Sequence, residues 1–252
     1  MIEICPLKGI GEIAPQAALD EILADSIEAH GLAPFREGDI LVVTQKIVSK
    51  AEDRFVDLTH VTPGPEALRL AEITRKDARL VELVLAESRA VLRAVPHVLI
   101  TQHRSGHVMA NAGIDRSNIG GRQGDYALLL PEDADGSAEG IRLGLKQHFG
   151  HAPAVVISDS FGRPWRMGVV CVALGASGLP ALQDKRGEID RDGRVLEVTQ
   201  IALADMVATA AGLAMGEGSE GVPAALVRGL HWTEQPRPAS AIVRPMTEDL
   251  FR

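Results

Sequence analysis

Aromatic side chains are nearly missing from this chain: five Phe, two Trp and one Tyr make up 3% of 252 residues. A surface that stacks the bases of single-stranded nucleic acid needs several such rings, so that function is disfavoured. The core must be aliphatic instead. Cysteine is just as sparse. Cys5 and Cys171 sit in apolar, strand-like surroundings, with no close spacing to each other or to histidine. That pattern predicts buried, reduced thiols and speaks against a zinc site. The eight histidines are scattered without zinc-ligand spacing, and none is a candidate for catalysis. No run of 18 apolar residues occurs and no charged-then-apolar signal opens the chain, so a soluble, cytoplasmic protein without membrane contact is expected. Positive charge is in deficit. Against 34 Asp and Glu stand 26 Lys and Arg, a formal net charge of −8. Nucleic acid and anionic lipid are disfavoured as partners, but a small anion held in one cleft is not. There is also no Gly-x-x-x-x-Gly-Lys-Ser/Thr stretch, so a P-loop is excluded.

What is present fits a globular protein, 46% hydrophobic and 24% charged. No repeat, linker or composition shift divides the chain, which reads as one unit over residues 1–252 with a possible smaller lobe at about 60–100. Apolar runs at 2–6, 40–43, 98–101, 107–110, 126–130, 154–158, 169–174 and 224–228 predict strands. Leu19, Ile22, Leu23 and Ile27 recur at helical spacing before Gly31. Further helices are expected between Pro65 and Ser88 (two), over 137–149 and over 199–215. Strands and helices intermix without a regular βαβ order. The expected fold class is therefore α/β of the mixed α+β kind, with mixed sheets and flanking helices, neither Rossmann nor P-loop.

The stretch at 155–166 is the densest in chemistry. A buried strand runs into Asp159, Ser160, Gly162, Arg163, Trp165 and Arg166. A strand holds its carboxyl end rigidly, so Asp159 can be aimed at a metal or a phosphate. Arg163 and Arg166 are candidates to grip anionic oxygens in a bidentate fork. Two more polar clusters follow strands, at 45–50 and 111–118. Asp115 and Asp159 are the candidate ligands of a divalent cation, which takes one or two carboxylates plus a hydroxyl, here Ser160. Taken singly, each Asp also reads as a cap or turn residue. Lys46 and Lys50 lie four apart, so a helical turn would put both on one face, for phosphate or for solvent. The glycine-bearing loop at 216–223 can wrap phosphates or supply a further ligand, although Gly216 also suits a helix C-cap. Asp184, Arg186, Glu188 and Asp190 form a charge cluster that is either a salt-bridged turn or a substrate contact.

Together the motifs GDILVVTQKIVSK (residues 38–50), NAGIDRSN (111–118), LPED (130–133), SDSFGRPWR (158–166), DKRG (184–187) and GEGSE (216–220) resemble the coenzyme F-420-0:L-glutamate ligase family, the F-420 gamma-glutamyl ligases, in its stand-alone form. The resemblance implies a GTP-dependent, GDP-forming ligase. It would join L-glutamate to the lactyl-phosphate tail of a deazaflavin through an acyl phosphate, with further glutamates as an option. It implies two magnesium or manganese ions, potassium and a homodimer. The implied metal ligands are Asp115, Asp159 and Ser160, with Glu217 or Glu220 near the second ion. Asp115, Asp159, Arg163 and Arg166 would act in catalysis. Ile10, Gly11, Glu12, Ile13, Gln45, Lys46, Lys50, Asn118, Gly216, Glu217, Gly218, Ser219, Glu220, Gly221, Val222 and Pro223 would hold the nucleotide. Gly11 departs from the family pattern, where proline is common. A metal-dependent nucleotide phosphohydrolase and a non-catalytic nucleotide-binding module are the alternative functions.

Overall fold

The computed structural model describes residues 1–120 and 124–249, so Arg252, the end of the unit drawn above, lies outside the described residues. In chain order the elements are β1 (Glu3–Pro6), α1 (Leu19–Ala29), β2 (Ile40–Thr44), α2 (Gln45–Ala51), β3 (Phe55–Asp57), α3 (Pro65–Thr74), α4 (Ala78–Ala86), β4 (Ser88–Val95), β5 (Val98–His103) and β6 (Val108–Ala110). They continue with β7 (Tyr126–Leu128), α5 (Ala134–Phe149), β8 (Ala154–Arg163), β9 (Arg166–Ser177), β10 (Gln183–Asp184), β11 (Gln200–Ile201), α6 (Leu203–Met215) and β12 (Ala224–Arg228).

The main sheet has the order β1-β12-β2-β8-β9. Only β2 and β8 run parallel, and every other neighbouring pair is antiparallel. The fold is thus mixed α/β and not a Rossmann sheet. The apolar run at 40–43 forms β2 because both its faces are covered. Leu41 and Val43 pack with α1 and α5 through Leu23, Ile27, Ile141 and Leu145. Ile40 and Val42 pack on the other side against α6 through Ala204, Val207, Ala208 and Ala211. All four strand side chains are fully buried, worth about 1.5–3 kcal/mol each. The alanines of α6 let that helix approach closely, which suits an aliphatic core.

A second core gathers Leu58, Leu70, Val81, Val84, Leu99 and Ile114 under α3 and α4. A three-stranded sheet β4-β5-β6 and the β3-β7 pair complete this region. Several elements differ from expectation, among them β3, β10 and β11, the last inside the helix expected over 199–215, which begins at Leu203. β4 was not foreseen, because two register shifts against β5 break its alternation. β8 does not stop at 158 but continues to Arg163 and turns through Pro164 and Trp165 into β9. Among the described residues no helix is long and apolar enough to cross a membrane.

Candidate active site

The parallel pairing of β2 and β8 sets Thr44 opposite Ser158. The two chain segments that follow, α2 and Asp159–Ser160, therefore emerge side by side. Thr44 is still extended (φ −66°, ψ 139°), and helix α2 begins at the next residue. Its first and last turns carry Lys46 and Lys50, as their spacing requires. Lys50 is buried, and its Nζ lies 2.5 Å from Glu12 Oε1 on the loop after β1. Lys46 Nζ lies 3.5 Å from Asp115 Oδ2 and donates to the Ser117 carbonyl at 3.1 Å.

Asp115 arrives from the second core. Asn111, Ala112 and Gly113 turn consecutively through left-handed backbone (φ 51°, 52° and 71°). The Asp115 main chain is then tied to Leu128 by reciprocal hydrogen bonds of 2.9 Å. A Cβ at Gly113 would sit 2.7 Å from Leu130 Cδ1 and 2.8 Å from Met109 Sδ. Gly113→Ala is therefore expected to destabilise the protein by about 2–4 kcal/mol, from left-handed strain plus overpacking. Urea unfolding checks this, and an unchanged midpoint would contradict it.

Asp115 and Asp159 face one another electrostatically. Burial, and then the Asp115 charge, push the Asp159 carboxyl up to about 7, against the pull of the Ser160 N–H and Lys46. Burial also raises Asp115, opposed by Lys46, Gln45 and Lys50. Gln45 Nε2 donates to Asp115 Oδ2 at 2.9 Å. Next to Asp159, Ser160 donates to Glu217 Oε2. The Cys171 thiol, opposite Ser160 in the β8–β9 register, donates to Glu217 Oε1 at 3.1 Å. Burial and Glu217 push that thiol up to about 12, so it stays protonated. Glu220 instead folds back to accept from the Gly218 N–H at 2.8 Å. Of the two candidate glutamates, Glu217 is the one beside Ser160.

Asp159, Ser160, Glu217, Gln45, Lys46 and Lys50 line a cleft of about 630 Å³, and Asp115 touches Gln45 and Lys46 without being part of that lining. Its wall includes residues 10–13, Gln45, Lys46, Lys50, Asn118, Asp159, Ser160 and all of residues 216–223. Asn118 Nδ2 reaches the Gly218 carbonyl at 3.4 Å, joining two of the loops at the rim. Thr44, Ser158 and Cys171, not among the site residues expected from the sequence, also line it. Their apolar strand context carried no signal of exposure to a ligand.

Arg163 and Arg166 do not line this cleft. They pair with each other across the β8–β9 turn, next to a Trp165 that is 82% exposed. Asp184 at the end of β10 pairs with Arg186 just beyond it, and Lys185 bridges Glu188 and Glu234. His103 and His107 are held neutral, pushed down to about 4 chiefly by burial. Among the described residues no group of three or more His, Cys, Asp or Glu side chains is arranged as a metal site by itself.

Comparison with known proteins gives one family. Residues 9–229 match the sequence model described as "F420-0:Gamma-glutamyl ligase". The chain is 44% identical over 255 residues to the "Coenzyme F420:L-glutamate ligase" of Methanopyrus kandleri, covering 100% of this chain and 97% of that one. It is 45% identical to the protein of the same name from Methanothermobacter thermautotrophicus, with the same coverage. The relative of that name from Archaeoglobus fulgidus is 39% identical, over 100% of this chain and 96% of its own length. By sequence, and over nearly all of its length, this chain belongs to the F420-0:gamma-glutamyl ligase family.

Proposed function

We propose that this protein is a coenzyme F-420-0:L-glutamate ligase. It would form the amide between L-glutamate and the lactyl-phosphate tail of the deazaflavin with GTP as co-substrate. One observation carries this: Asp159, Ser160 and Glu217 line one cleft with Lys46 and Lys50, and Asp115, outside that lining, pairs with Lys46 and accepts from Gln45 at its edge. Such a donor set fits magnesium or manganese, which bind through a few carboxylates and complete their shell with water and phosphate oxygens. Burial and the Asp115 charge raise Asp159, and a bound cation would offset both. When bound, the ions would neutralise the phosphoryl oxygens during transfer.

The chain's own residues supply alignment. Lys46 and Lys50 neutralise the triphosphate from α2, and the backbone of residues 216–221 wraps it. Glu12 leaves Lys50 as phosphate takes its place. The acceptor carboxylate then attacks the γ-phosphorus, the bond to the GDP oxygen breaks, and an acyl phosphate forms. The glutamate amine attacks the acyl carbon, loses a proton and expels phosphate. Arg163 and Arg166 lie on the hairpin beyond Asp159, where the phosphate-bearing acceptor tail would enter. The same hairpin exposes Trp165, Met167 and Val169, the last two at 98% and 50%. That apolar arm supports a homodimer.

Incubation with F-420-0, GTP, L-glutamate, manganese and potassium, read by mass spectrometry, tests the function. A product heavier by one glutamyl unit is expected only with acceptor, GTP, glutamate and manganese together, and dropping potassium tests that ion. Heavier products would show further additions. Phosphate released without acceptor or glutamate would mean a phosphohydrolase, and GTP binding without turnover a binding module.

A further inference from the structure

We infer that Ser49 is a positioning residue for the Asp115 carboxylate, acting through Gln45. The inference rests on the proposal that Asp115 binds the ion. Ser49 and Gln45 are both buried, at 0% and 2% exposure, one helical turn apart on α2. A buried serine inside a helix ordinarily bonds the main-chain carbonyl four residues earlier. Here its hydroxyl instead donates to the side-chain Oε1 of Gln45 at 2.9 Å. An amide has one accepting end and one donating end. With the oxygen taken by Ser49, the NH2 end meets Asp115 Oδ2 at 2.9 Å. Lys46 stands 3.5 Å from that same oxygen. Oδ2 thus has one hydrogen-bond donor, Gln45, and one ion-pair partner, Lys46, and Ser49 fixes the donor. Gln45, which also lines the cleft, thereby becomes part of the acid's support. Groups behind a metal ligand set its affinity in this way.

Manganese binding to the whole protein without nucleotide, followed by calorimetry and electron paramagnetic resonance, tests this. Ser49→Ala removes the donor and leaves the amide free to turn. Its affinity for manganese is expected to fall about tenfold, the lower end for loss of an outer support. Gln45→Met should fall by a similar factor. The double variant should be no weaker than Gln45→Met alone, because one path is being broken twice. Wild-type affinity in Ser49→Ala, or additive losses in the double variant, would overturn the relay while Asp115→Asn still lost binding. Full affinity in Asp115→Asn would instead remove the ion from Asp115, and this inference with it.

Discussion

Asp159→Asn is expected to end ligation and, at the same time, to raise the melting temperature of the metal-free protein above pH 7. The carboxyl is held at about 7 in the fold, against an ordinary 3.8, by burial and by the neighbouring Asp115. A folded value above the unfolded one means the fold binds this proton more tightly. The stability linked to it is complete below pH 3.8 and is lost as pH rises through about 7. Asparagine cannot ionise, so that loss disappears. At pH 8 the gain should be about 5 °C or more, at roughly 2–4 °C per kcal/mol for a chain of this size. Manganese acts oppositely on the native protein. It competes with the proton, so its stabilisation should grow between pH 6 and 8, and in the variant that growth should vanish. Turnover should fall by at least about 10²–10³-fold, the usual cost of removing charge stabilisation at a transferred group. Melting curves at pH 6 and pH 8, with and without manganese, separate the two effects. A variant that melts lower at pH 8, or still ligates, would contradict the placement of this acid.

Lys50→Met is the second large effect. Lys50 is 5% exposed, yet its partner Glu12 is 60% exposed. Removing the ammonium therefore strands no buried acid. An apolar side chain of similar volume in place of a buried charge is often neutral or stabilising, so the fold should keep its melting temperature. GTP-dependent turnover should not survive as well. Loss of a buried charge from a desolvated pair costs about 2–5 kcal/mol, or about 30-fold to a few thousandfold in kcat/KM. Lys50→Arg should not restore it, since the planar fork does not fit where a compact ammonium sits. Fluorescent nucleotide binding beside the ligase assay checks this, and near-native GTP affinity in Lys50→Met would move the triphosphate elsewhere in the cleft.

Much of this site was legible before any coordinates. The uninterrupted run at 40–43 is typical of a strand covered on both faces, whereas helix α2 behind it was present only as a condition, the turn that would put Lys46 and Lys50 on one face. Placing these beside Asp159 needed only the strand at 154–158, although its parallel pairing with β2 was not foreseen. The stretch from 159 to 166 misled for a physical reason. β8 there runs beyond the covered part of the sheet, so Ser160 and Gly162 are exposed and the alternation of a protruding ribbon reads as a polar loop. Hence the arginines were drawn beside Asp159, whereas the ladder carries them to the far turn. Ser49 lies inside the polar cluster at 45–50, but nothing in the sequence marked it for this role. A small hydroxyl in a helix declares nothing until its partner is seen.

The ladder that moves those arginines outward has a second effect. Asp159 is anchored mid-strand, paired with Val172 of its neighbour. The glycine-rich segment 216–221 instead lies outside any helix or strand and is tied across through Glu217 and Gly218. The rigid jaw would then govern how fast chemistry proceeds, and the pliant one how readily nucleotide comes and goes. Substitutions in the two walls can shift rate and residence time separately, so relatives could diverge in one without disturbing the other.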